Sequence, residues 1–153
     1  MNNNIYDRAQ LFLRMSMGIG YLLPVMDRLG IFGGPGVNGN IWGNWENFVG
    51  YANTLMPYFG KGAAGIFAGL ATLAEAVFAL AFIAGFQIRL AAYGSMILTL
   101  IFSLSMILFV GFRAPFNYSV LVFSSASYIL ALIPFYRWSL DALRKTKRPN
   151  TYI

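Results

Sequence analysis

Residues 63–86 read AAGIFAGLATLAEAVFALAFIAGF, a run free of charge except for one carboxylate, Glu75, halfway along. At about 1.5 Å per residue the run would make a helix of roughly 36 Å, enough to cross a hydrocarbon core of about 30 Å. A carboxylate at that depth costs several kcal/mol against lipid, so its side chain must face protein or an enclosed cavity. Glu75 is therefore the first candidate site residue, and its surroundings say that the chain lives in a membrane.

Composition supports this. The chain is 58% hydrophobic, 17% aromatic and 10% charged, against about 25% charged residues in soluble domains. Its length of 153 residues suits one integral-membrane domain, 1–153. The net charge of +6 lies at the ends and loops of apolar segments, which argues for membrane orientation and against nucleic acid. There is no cysteine and no histidine. Thiolate chemistry, a zinc site and a His-ligated haem are excluded, and no metal ligand set is assigned. Electrons in any redox reaction would have to be carried by a bound small molecule or by another subunit.

Working outward from Glu75, three more segments read as spans: about 9–32, 88–111 and 116–136. The first resembles a signal peptide but is too long, contains Arg14, and lacks a small-x-small cleavage site. Tight turns at Gly85-Phe86-Gln87 and Gly111 to Pro115 make consecutive spans antiparallel neighbours. The fold class is thus an all-α membrane protein, a bundle of four transmembrane helices. An extra interfacial helix falls between helices 1 and 2. It follows the Gly-rich stretch 33–40 and covers about 44–59, where a pattern that opens at Trp42 continues through Trp45, Phe48, Ala52 and Leu55 at helical spacing. Asn44 is its N-cap and Pro57 its stop, and it is expected to lie over the outer mouth of the bundle.

Lysine and arginine placement orients the chain. With both termini cytoplasmic, eight lie inside (Arg8, Arg14, Arg89, Arg137, Arg144, Lys145, Lys147, Arg148) and three outside (Arg28, Lys61, Arg113). The basic tail, 137–153, would sit against anionic headgroups. Counting residues along antiparallel spans brings polar groups from all four to the depth of Glu75. These are Tyr21 beside Gly18 and Gly20, Thr99 on one face with Ser95 and Ser103, and Ser124, Ser125 and Ser127. Their hydroxyls suit hydrogen bonds to a carboxylate or a ligand carbonyl, and equally suit helix packing. Arg14 is the deepest candidate counter-charge, with Asp27 and Arg28 nearer the outer end. Left without a positive neighbour, Glu75 would hold its proton near neutral pH and could exchange it with a bound quinone.

Taken in order, these pieces resemble the DoxX family of small four-helix bacterial membrane proteins. The likeness runs through Arg14-x-x-x-Gly18, the charged pair Asp27-Arg28, Trp45-x-x-Phe48, Glu75, Gly85-x-x-x-Arg89-x-Ala, and Arg137-Trp-Ser-Leu-Asp141. It covers nearly the whole chain. It departs from the family where Gly-x-x-Lys usually ends the first helix and where glycines usually precede the closing motif. The resemblance implies a bacterial inner-membrane protein tied to redox physiology. It also implies a quinone-interacting subunit of a membrane oxidoreductase, with quinone as non-covalent ligand, a separate redox partner protein and a homo-oligomer as candidate partners. Thiosulfate chemistry, which one branch supports, does not carry over without a cysteine. No catalytic residue is assigned. The candidate ligand-binding or proton-exchanging set is Glu75, Arg14, Tyr21, Asp27, Arg28, Thr99 and Trp45. Two other readings stand beside this one: a non-catalytic anchor or assembly partner for another protein, and a carrier for a small amphipathic molecule or lipid.

Overall fold

The computed structural model describes residues 3–146, so Lys147 and Arg148 of the expected basic tail lie outside the described residues. The described chain is all helical: α1 (Asn3–Arg28), α2 (Trp45–Thr54), α3 (Lys61–Ala84), α4 (Ile88–Phe109), α5 (Ala114–Asn117), α6 (Val120–Leu132) and α7 (Leu140–Thr146). Three of these helices, α1, α3 and α4, are long and apolar enough to cross a membrane.

The turn between α3 and α4 shows how local chemistry sets the topology. Gly85 takes the left-handed conformation at φ +73°, and the Gly85 and Phe86 amides both return to the Ala81 carbonyl. The first amides of α4, on Gln87 and Ile88, have no helical partner. Both carboxylate oxygens of Asp141 accept from them at 2.9 Å, while the Asp141 amide donates to the Gly85 carbonyl at 3.0 Å. The closing motif thus ties the fourth apolar segment under the α3–α4 hairpin.

Replacing Gly85 would damage this clasp. A Cβ there would lie 2.5 Å from Ser139 Cβ and 2.7 Å from Ser139 Cα, in a backbone conformation that L side chains avoid. Gly85→Ala is expected to cost about 2 kcal/mol or more, read as a lowered unfolding midpoint in detergent. Gly69→Ala is the control, because nothing lies within 4 Å of its added methyl. Its midpoint should hold or rise slightly.

Small residues let the helices approach. A Cβ on Gly18 of α1 would meet Ile83 of α3 at 2.7 Å, one on Gly20 would meet Phe123 of α6 at 2.5 Å, and one on Gly94 of α4 would meet Phe78 of α3 at 2.9 Å. These contacts also give the register. Gly18 is level with Ile83, yet Arg28 is level with Thr72. The two helices run antiparallel with a stagger, and the N-terminal half of α3 extends beyond the end of α1.

That half of α3 is covered by α2. Asn44 caps α2 by accepting from the Asn47 amide at 2.8 Å. Phe48 and Ala52 pack on Ala68, with Val49 and Trp42 alongside. Helix α2 is shorter than the expected 44–59. It stops at Thr54, two residues before the position where Pro57 disfavours helical backbone. Phe48 and Ala52 hold it against α3, and Leu55, just past its end, packs on Met106 of α4 and Ala114 of α5.

The fourth apolar segment departs most from a plain span over 116–136. It forms the single turn α5, breaks at Ser119, whose φ is +53°, and continues as the 13-residue α6. At about 1.5 Å per residue α6 is roughly 20 Å long. It ends before Pro134, where the preceding residue, Ile133, is extended. Likewise α1 starts at Asn3 and ends at Arg28, with Gly30 left-handed at φ +73°.

The bundle is packed solid towards its Gly85 end, around Met17, Tyr21, Phe82, Ile88 and Leu130. Towards the Lys61 end it is hollow.

Candidate functional site

The hollow is a cavity of about 990 Å³, at the upper end of ordinary ligand sites. Helices α1, α3, α4 and α6 wall it, and α2 closes one side. Its surface is almost wholly apolar, with Pro24, Leu55, Phe67, Leu98, Phe102 and Phe123 among the lining residues. Leu23, Leu70 and Ile101 line it and are also exposed on the flanks of the helices, so its rim reaches their lateral apolar surface.

Glu75 points into the bundle, with 5% of its surface exposed. Its partner is Arg28. The Arg28 Nη1 group donates to Glu75 Oε2 in a short, charge-assisted hydrogen bond, and to Thr72 Oγ1 at 3.1 Å. The guanidinium lies 3.9 Å from the Phe48 ring centroid and 5.2 Å from that of Trp42. These aromatic faces hold it inward, as rings hold cations elsewhere. Glu75 therefore does not stand as an isolated protonated acid. It is half of an ion pair on the cavity wall, and a lone-acid proton exchange is not the chemistry this geometry favours.

The neighbour in sequence, Asp27, has a different task. Its carboxylate accepts the amides of Ile41, Trp42 and Gly43 at 3.0, 3.2 and 2.8 Å. It pins the loop that carries Trp42 onto the end of α1. Gly43 is required here: it has φ +64°, and a Cβ on it would lie 2.5 Å from the Gly34 carbonyl carbon. Asp27 thus positions Trp42 over Arg28 while remaining 7% exposed itself.

Two of the expected residues belong elsewhere. Arg14 is buried, but it lies at the Gly85 end, where its Nη2 donates to the Trp138 carbonyl at 2.8 Å. It is held beside the closing motif because α1 is staggered against α3, and it does not pair with Glu75. Trp45 is 38% exposed and does not line the cavity; its ring meets that of Phe48 at a tilt, with centroids 5.6 Å apart. Trp42, three residues earlier, is the indole that enters the site.

Tyr21 and Thr99 both line the cavity. The Tyr21 hydroxyl is 2.6 Å from Ser95 Oγ, which is 2.6 Å from Ser127 Oγ, and Ser127 donates to the Phe123 carbonyl at 2.8 Å. This chain of hydroxyls ties α1, α4 and α6 at the floor of the cavity. Thr99 donates back to the Ser95 and Met96 carbonyls of its own helix, at 2.8 and 3.1 Å. Both hydroxyls are thus committed to the scaffold.

Tyr51, on α2, also lines the cavity, and its hydroxyl has no partner. Burial, and then the neighbouring Tyr118, push its phenol above the ordinary range, so it stays a hydrogen-bond donor at neutral pH. Sequence reasoning did not single out Tyr51, Thr72, Phe48 or Trp42 as site residues. Arg28 is among the expected residues, and its spacing of seven residues, about two turns, from Tyr21 puts both on one face of α1. The basic residues at the other end are spread out. Arg137 pairs with Asp7 at 3.0 Å, and Arg144 lies 4.5 Å from the Phe86 ring.

Comparison with protein-family models, curated proteins and solved structures found no match for this chain.

Proposed function

We propose that this chain is a multi-pass membrane protein resembling the DoxX family, in which the cavity binds a quinone or a similar amphipathic ring compound. It would serve as the quinone-interacting subunit of a membrane oxidoreductase system in a bacterial inner membrane, with electrons supplied by a partner protein. In this reading α6 and the flanking turns complete a four-helix bundle, α2 lies at the outer interface, and both termini are cytoplasmic.

One observation carries the proposal: a buried Arg28–Glu75 pair on the wall of a large, otherwise apolar cavity. The cavity has room for a ring with a prenyl or alkyl tail. The residues fit such a ligand, since Arg28 offers a donor to ring oxygens and Phe102, Phe123 and Trp42 offer apolar faces. The bound ring would supply the redox chemistry. The chain's own part would be to orient it, exclude water and balance charge beside it.

The test is a thermal shift of purified protein with a short-tailed menaquinone or ubiquinone analogue. It is repeated on the Arg28→Leu, Glu75→Leu double variant. Stabilisation of the wild type alone is expected. No shift in either, or equal shifts in both, would refute the site.

The lateral rim formed by Leu23, Leu70 and Ile101 favours a second reading, a carrier that takes its amphipathic ligand from the bilayer. Passage of the same analogue between protein-containing liposomes and acceptor vesicles would distinguish carriage from binding in place.

A further inference from the structure

The ion pair engages one atom of each partner, Arg28 Nη1 with Glu75 Oε2. Neither Arg28 Nη2 nor Glu75 Oε1 has a hydrogen bond within the protein. Neither is among the polar atoms that are sealed without a partner; on these two residues that state is confined to Arg28 Nε. Both side chains line the cavity. A donor on Arg28 and an acceptor on Glu75 are therefore left unengaged within the protein, on two paired residues that both line the cavity.

We propose that this Nη2–Oε1 edge selects a neutral hydroxyl-bearing headgroup, one oxygen of which accepts from Arg28 while its own O–H donates to Glu75. The inference rests on the reading of the cavity as a site for amphipathic ring compounds and narrows it to the reduced, hydroxylated form. A quinone carbonyl satisfies Arg28 Nη2 and leaves Oε1 without a donor. A hydroquinone satisfies both through one phenolic oxygen. A fatty-acid carboxylate would bring a second negative charge against Oε1, and an ammonium headgroup would bring a second positive charge against Nη2. In surroundings this apolar, either mismatch is heavily penalised. The paired charges sum to zero, and the site so built discriminates against ions of both signs.

The probes are decyl-hydroquinone, decyl-benzoquinone and decanoate, which share one alkyl length. Each is titrated under argon into wild-type protein held in nanodiscs of neutral lipid. Hydroquinone is expected to bind about tenfold tighter than quinone, the worth of one hydrogen bond to a charged acceptor, with decanoate weakest. Equal binding of the two ring forms, tighter quinone, or tightest decanoate would overturn the selectivity and leave the cavity reading intact. Absence of binding by all three would overturn both. Glu75→Gln adds a sharper readout, because a carboxamide that turns its NH2 group to the cavity should reverse the preference toward quinone. If that variant does not fold, the wild-type ranking decides alone.

Discussion

Glu75→Ala is expected to cost about 3–5 kcal/mol, the largest loss of any single substitution in this chain, because it strands the Arg28 guanidinium. Arg28 is 5% exposed and covered by Phe48 at 3.9 Å, so the freed charge stays in largely apolar surroundings. Thr72 would remain as a neutral acceptor, which does not replace a carboxylate. The companion experiment removes both charges. Arg28→Leu with Glu75→Leu fills similar space with apolar groups, and replacing a buried pair in this way is often neutral or stabilising. The double variant should therefore unfold within about 1 kcal/mol of the wild type. Reversible SDS titration in mixed micelles would give both numbers. A cost below about 1 kcal/mol for Glu75→Ala would mean that the carboxylate faces solvent or lipid. A double variant as damaged as the single one would show that the pair is needed for folding, and that its retention says nothing about a ligand.

Asp27→Ala should produce the second largest effect, about 3 kcal/mol, with a distinct signature. Three backbone amides, on Ile41, Trp42 and Gly43, lose a charged acceptor at once. Hydrogen bonds to charged groups contribute about 1.5–3 kcal/mol each, and three on one carboxylate do not add in full. The loop 33–43 should exchange its amide hydrogens faster, and Trp42 fluorescence should shift to the red as its ring leaves Arg28. Helix α2 should stay in place, since Phe48 and Ala52 hold it on Ala68 independently of the loop. Unchanged exchange in that loop would contradict the role given to Asp27.

Much of the frame is legible in residue order because it rests on local physics. The apolar run 63–86, charged only at Glu75, is matched by α3 at Lys61–Ala84, and the Gly85 turn needs the one residue type that readily tolerates φ +73°. Asn44 caps α2 through its own side chain, a contact within three residues. Ser95, Thr99 and Ser103 share a buried face of α4 because their spacing puts them there. Residue counting failed where it took α1 and α3 to be level. That assumption made Arg14 the deep partner and left Arg28 at the mouth. The stagger sends Arg14 to Trp138 and brings Arg28, at the end of one helix, to the middle of the other. Trp45 was favoured over Trp42 for a similar reason. Periodicity ranks both, and the choice is made by Asp27 catching the loop from another element.

From the order of its residues alone, this chain reads as helical, with four apolar lengths, three of which form helices long enough for a bilayer, and burdened with a carboxylate that must be sheltered. Those properties follow from hydrogen bonding and hydrophobicity within single segments. Which cation shelters that carboxylate, and that a cavity opens beside the pair, were decided only by tertiary structure. Both depend on how far one helix slides along its neighbour, and that distance is set by small residues such as Gly18 and Gly94 meeting side chains remote in sequence.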